Sequence, residues 1–227
     1  MEKTMSNISI FDVMGPNMIG PSSSHTAGAL RIALLAGNLA KGNVSHAKFI
    51  LYGSFARTYH GHGTDRALVG GILGYATDDE RIRDSFEYAK QAGITYEFIE
   101  NTTDKDVHPN TVDIELTTKE GQLITMRGVS IGGGNAVIQR LNGVAIDMNG
   151  ASPTVIIKHW DRKGALAYIT TVLSDADLNI GALKLYREGK GKIAYAIVEL
   201  DAFVPDEILR KLEQYKDTIS TTYIPAL

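Results

Sequence analysis

Apolar positions along the chain change period several times, and each change predicts an element. Ile8-Ser9-Ile10-Phe11 leads into a polar loop, after which Leu30, Leu34 and Leu35 share one side of a helix predicted over 27–39. Lys48-Phe49-Ile50-Leu51-Tyr52 predicts a strand ending at Gly53-Ser54, and Ala67, Leu68 and Ile72 predict a helix starting near Thr64-Asp65. Strand-like alternation returns in Thr95-Tyr96-Glu97-Phe98-Ile99 and in Thr111-Val112-Asp113-Ile114-Glu115-Leu116. The latter forms a hairpin with 122–132 across Lys119-Glu120-Gly121. This pattern reads as a mixed α+β domain and leaves its strand order open.

The pattern breaks at Met148-Asn149-Gly150-Ala151-Ser152-Pro153, where Asn-Gly and Ser-Pro favour turns. Two domains are therefore expected, 1–150 and 154–227. In the second, Thr154-Val155-Ile156-Ile157-Lys158-His159 predicts a strand and 164–173 a helix. Two strands, 180–186 and 192–200, turn at Glu188-Gly189-Lys190-Gly191. A helix over 205–215 begins at Pro205, whose fixed φ suits a first turn, and 219–224 closes as a strand. The order βαββαβ is the ferredoxin-like arrangement.

Composition narrows the function. An apolar fraction of 44% and a charged fraction of 22% suit an ordinary globular protein. A net charge of −3 argues against nucleic acid or an anionic membrane as the main partner. No apolar run approaches the ~18–20 residues that span a bilayer. The first residues, Met1-Glu2-Lys3-Thr4, lack a basic segment followed by an apolar core, so a cytoplasmic location is expected. The cysteine count is zero, which removes disulfides, thiolate nucleophiles and cysteine-ligated metals from this chain. None of its six histidines pair at a zinc spacing.

Four clusters carry candidate chemistry. Gly20-Pro21-Ser22-Ser23-Ser24-His25-Thr26 places hydroxyls and an imidazole at a helix start, where free N–H groups attract a carboxylate; simple capping by one serine also fits. His60-Gly61-His62-Gly63-Thr64-Asp65-Arg66 offers His62 as acid or base, with Asp65 to orient it or to cap the next helix; a polar turn also fits. Ser130-Ile131-Gly132-Gly133-Gly134-Asn135 is an active-site turn or a plain loop, without a Walker or dinucleotide pattern. His159-Trp160-Asp161-Arg162-Lys163-Gly164-Ala165-Leu166 and Asp177-Leu178-Asn179-Ile180 are the loops of the second domain, with ordinary capping by Asp161 as the plain alternative.

In this order, Phe11-Asp12-Val13 through Ser22-Ser23-Ser24-His25-Thr26, Gly53-Ser54-Phe55-Ala56 and Gly61-His62-Gly63-Thr64-Asp65-Arg66-Ala67 resemble the beta domain of bacterial iron–sulfur L-serine dehydratases. The second domain resembles an ACT domain, a module of amino-acid regulation. Thr58-Tyr59-His60 departs from the more basic, glycine-containing stretch expected there. The resemblance implies β-elimination of L-serine to pyruvate and ammonia, with a [4Fe–4S] cluster acting as Lewis acid on the substrate hydroxyl. The cluster needs cysteine thiolates, so a separate cysteine-bearing alpha subunit is expected to hold it, with no metal ligand in this chain. The resemblance implies His62, then His25, as acid/base groups beside Asp65, and Ser22, Ser23, Ser24, Thr26 and Thr64 as substrate-binding. Asp161, Gly164, Leu166 and Asn179 are the candidate effector site at an interface of the ACT domain, which is expected to self-associate. Potassium is a further cofactor expectation. The rival readings are a non-enzymatic ACT-containing amino-acid sensor and, more remotely, a self-sufficient hydrolase using the serine loop with His25.

Overall fold

A computed structural model describes residues 16–227. The Ile8–Phe11 stretch and the Phe11-Asp12-Val13 segment lie outside the described residues.

Helix α1 (Gly28–Leu39) is buried on most of its surface, at Ala29, Leu30, Ile32, Ala33, Leu35 and Ala36, so it must be enclosed on several sides. One side meets a six-stranded sheet. The chain runs β1 (Val44–Tyr52), α2 (Gly53–Thr58), α3 (Thr64–Ile72), a 3₁₀ turn (Glu80–Asp84) and α4 (Ser85–Gln91) before β2 (Thr95–Asn101). Because β2 pairs parallel with β1, this crossover is forced to carry the helices over one sheet face. The remaining strands are β3 (Thr111–Thr118), β4 (Leu123–Gly132), β5 (Asn135–Leu141) and β6 (Val144–Met148). They pair antiparallel, giving the order β2-β1-β3-β4-β5-β6.

Alternation on β1 turns Ala47, Phe49 and Leu51 inward, where they join Val112, Ile114 and Leu116 of β3 beneath the helices. Helices α1 and α3 pack closely at Gly71, where any Cβ would overlap the Leu30 carbonyl oxygen. Helix α2 and the β5–β6 hairpin are absent from the expectations above. Helix α2 spans only six residues, too few to show a helical period, and the glycine run at 132–134 hides the start of β5.

Beyond Pro153 the chain forms β7 (Thr154–Trp160), α5 (Ala165–Asp175), β8 (Ile180–Arg187), β9 (Ile193–Leu200), α6 (Asp206–Glu213) and β10 (Thr218–Ile224). The antiparallel order β10-β7-β9-β8 matches the βαββαβ expectation. One face, with Val155, Ile157, Ala196 and Val198, packs under residues of α5 and α6 such as Ile169, Leu173, Ile208 and Leu212. The other face turns Ile156, Tyr195, Ile197 and Ile224 into the core of the first sheet. Burial on both faces explains the unbroken apolar run at the start of β7. Polar ties reinforce the contact. Asn142 Nδ2 donates to the Tyr195 hydroxyl at 3.2 Å, and Lys184 Nζ reaches the Asp147 carboxylate at 2.9 Å. No helix among the described residues is long and apolar enough to cross a membrane.

Candidate active site

Three helix starts meet at one end of the first sheet. Ser22 caps a π-helical turn, Ser23–Ala27, that runs directly into α1; its hydroxyl accepts the His25 backbone N–H at 3.1 Å. His25 and Thr26 are thereby held inside the first turn. Helix α2 leaves the C-terminal end of β1, and its first amides, from Ser54 and Phe55, donate to the Pro109 carbonyl at 2.7 and 3.2 Å. The α2 start is thus satisfied by protein, and its Ser54 and Phe55 side chains face the site.

His25 Nε2 lies 2.9 Å from the Ser54 hydroxyl, and Nδ1 lies 3.4 Å from that of Ser22. The His62 ring stacks on His25 at 4.7 Å between centroids, while Phe55 meets His25 edge-on at 5.4 Å. His62 Nδ1 faces the Thr58 carbonyl at 3.4 Å. Burial first, and the neighbouring His62 second, hold the His25 pKa below its ordinary value. His25 is therefore neutral at pH 7.

The remaining candidates divide. Ser23 and Ser24 sit half-buried in the same turn. Thr26 is 3% exposed and spends its hydroxyl on the His62 carbonyl at 2.9 Å, tying the two loops together rather than facing a ligand. Thr64 is fully buried, and its hydroxyl has no partner among the described residues. Asp65 does not orient His62. Its carboxylate, in the first turn of α3, pairs with His60 Nδ1 at 2.8 Å and accepts the Arg66 N–H at 2.8 Å. His60, read above only as part of a polar turn, is that partner.

Ser54 and Ser130 carry roles that sequence spacing did not assign. Ser130 Oγ is buried without a partner among the described residues, directly under Gly28. Any Cβ at residue 28 would overlap that hydroxyl, so glycine is what lets β4 approach the serine turn. Both residues come from strand ends far away in sequence, a proximity no local pattern encodes.

The ACT-side candidates do not converge. Asp161 accepts the Gly191 N–H at 3.0 Å and pairs with Arg187 at 3.2 Å at the C-terminal end of β8; the backbone bond first, and Arg187 after it, lower its pKa. It does not cap α5, whose start is Gly164 in a left-handed conformation, φ 92°. Asn179 lies before the opposite end of β8, bonded to Asp201. At ~3.3 Å per residue those ends are roughly 23 Å apart. Leu166 packs against the ACT core. One small effector cannot touch all four within a single chain. Among the described residues, no group of three histidine or acidic side chains could hold a metal.

Residues 9–140 match the family model of the serine dehydratase beta chain. This chain belongs to that family. The L-serine dehydratase beta chain of Peptoniphilus asaccharolyticus is 44% identical over 197 residues, covering 87% of this chain and 89% of that one. The probable L-serine dehydratase beta chain of Bacillus subtilis (strain 168) is 41% identical over 217 residues, 95% and 97% of the two chains. An L-serine dehydratase of Streptomyces coelicolor is 37% identical over 94 residues, 38% of this chain and 20% of that protein. Residues 154–217 match the ACT domain, in agreement with the βαββαβ sheet.

Proposed function

We propose that this beta chain is one subunit of a heteromeric L-serine ammonia-lyase whose [4Fe–4S] cluster resides on a separate alpha subunit. The observation that carries this reading is the stacked His25–His62 pair, flanked by the Ser22 and Ser54 hydroxyls, in a family whose relatives are named L-serine dehydratase beta chains. The chain's own residues do not fit the cluster. Thiolates ligate such clusters, and this sequence has no cysteine. The Streptomyces coelicolor protein supports a partner, because the match occupies only 20% of it.

On this reading the chain supplies proton transfer and substrate positioning. With its proton on Nδ1 toward Thr58, His62 keeps a lone pair on Nε2 and serves as the base for the α-proton of L-serine. His25, with hydroxyls beside both nitrogens, is the weaker candidate for that step and positions His62 through the ring stack. Ser23 and Ser24 are the hydroxyls left to hold the substrate carboxylate, reinforced by the positive end of α1. Loss of the α-proton and the β-hydroxide gives aminoacrylate, whose hydrolysis releases pyruvate and ammonia. An effector bridging the Asp161–Gly164–Leu166 loop and Asn179 would require two copies of the ACT domain.

The test is anaerobic purification of this chain alone and co-expressed with a cysteine-bearing partner, followed by pyruvate formation from L-serine. Activity confined to the complex, with iron–sulfur absorbance, is expected. Turnover by this chain alone would overturn the two-subunit reading.

A further inference from the structure

The histidine cluster sits at the N-terminal end of α1. At its C-terminal end, about 18 Å away along a twelve-residue helix, the two sheets separate into a cleft of about 250 Å³. At that volume the cleft lies below the range of drug-sized pockets and suits a small metabolite. Its floor is apolar, from Ile124 and Ile156.

Its polar groups are arranged by charge. Lys158 on β7 lines the cleft with its ammonium 5.9 Å from the Tyr195 ring centroid, and it makes no ion pair among the described residues. Ser220 pairs with Lys158 in the β7–β10 register, and Thr222 pairs with Ile156, so both residues line the cleft from the strand next to Lys158. Glu120, on the β3–β4 turn, supplies a carboxylate to the same cleft, held in place by the Asn43 amide. A half-buried cation with two hydroxyls matches a carboxylate, and an acidic rim matches an ammonium. We propose that this interdomain cleft binds a small α-amino acid, its carboxylate at Lys158, Ser220 and Thr222 and its ammonium at Glu120, so that occupancy clamps the ACT domain against the first domain. The site is separate from both the histidine cluster and the ACT loops, and it does not depend on the catalytic proposal.

Calorimetric titration of the full chain with each of the twenty L-amino acids tests it, with acetate, ethylamine and inorganic phosphate as probes carrying one half of the charge pattern. At least one amino acid is expected to bind more tightly than all three probes. Lys158→Met keeps the stem over Tyr195 and should weaken that binding about tenfold or more. Glu120→Gln, on an exposed turn, should weaken it several-fold, which keeps the test usable if the Lys158 variant folds poorly. His62→Ala and Asn179→Ala should leave the affinity unchanged. Absence of binding by every amino acid overturns the proposal, as does binding that survives both cleft substitutions. Tighter binding of phosphate or acetate, or loss of binding in His62→Ala or Asn179→Ala, also overturns it.

Discussion

Two sets of loop residues stood out in this chain, and folding treats them differently. His25 lies 29 residues before Ser54 and further still before His62, yet the start of α1 and the stretch that follows β1 deliver them to one place. Asp161 and Asn179 are nearer in sequence but are carried to opposite ends of β8. Convergence follows from which end of an element a loop leaves, because a strand separates its two ends by its full length whatever the loops contain. The first set forms a cluster within one chain, whereas the second can do so only by adding another chain.

The sharpest way to break this comparison is at the rings. In the assembled enzyme, His62→Ala should lower kcat by about 10²–10⁴-fold with an unchanged melting temperature, as for loss of a general base. Near-normal turnover would remove the cluster from catalysis. Next in size, Gly28→Ala should destabilise the chain by about 1–3 kcal/mol through overlap with Ser130, read by denaturant unfolding. Adding Ser130→Gly should recover most of that loss, and an unchanged deficit in the double variant would refute the packing argument.

A smaller effect concerns pH. His25 has a folded pKa below its ordinary value near 6.5, so the unfolded chain binds that proton more readily. Its contribution to stability is complete above about pH 6.5 and declines as the pH falls through that value. Melting curves between pH 7.5 and pH 5 should show this decline, and His25→Asn should flatten it. The smallest effect belongs to the dispersed set. Asp161→Ala should speed hydrogen exchange at the Gly191 amide without changing the turnover of the complex, and a collapse of turnover would place Asp161 in the catalytic machinery instead.

Much of the fold could be read in advance where periodicity is strong. The βαββαβ order needs only alternating strands, two amphipathic helices and turn residues between them, all local features. The Asn149–Pro153 turn and the helix beginning after the serine run are local in the same way. Helix α2 escaped because its six residues are too few to display a period. The β5–β6 hairpin escaped because a glycine run reads as a loop whether or not a strand follows it.

By itself, then, the sequence determined the residue types available: six imidazoles and a run of hydroxyls, no thiol, and a second domain of ferredoxin-like order. The absence of cysteine excludes thiolate ligation whatever the fold. Only the tertiary structure decided that Asp65 belongs to His60 rather than His62, that Ser54 rather than an acid stands against His25, and that Thr26 and Thr64 are enclosed. It also decided that the second face of the ACT sheet is covered by the first domain, leaving a cleft lined by Lys158. The reason is geometric: hydrogen bonds and ion pairs depend on distances of about 3 Å between groups that can lie one turn or many elements apart in the chain, and those distances are set by how loops turn, strands register and helices pack.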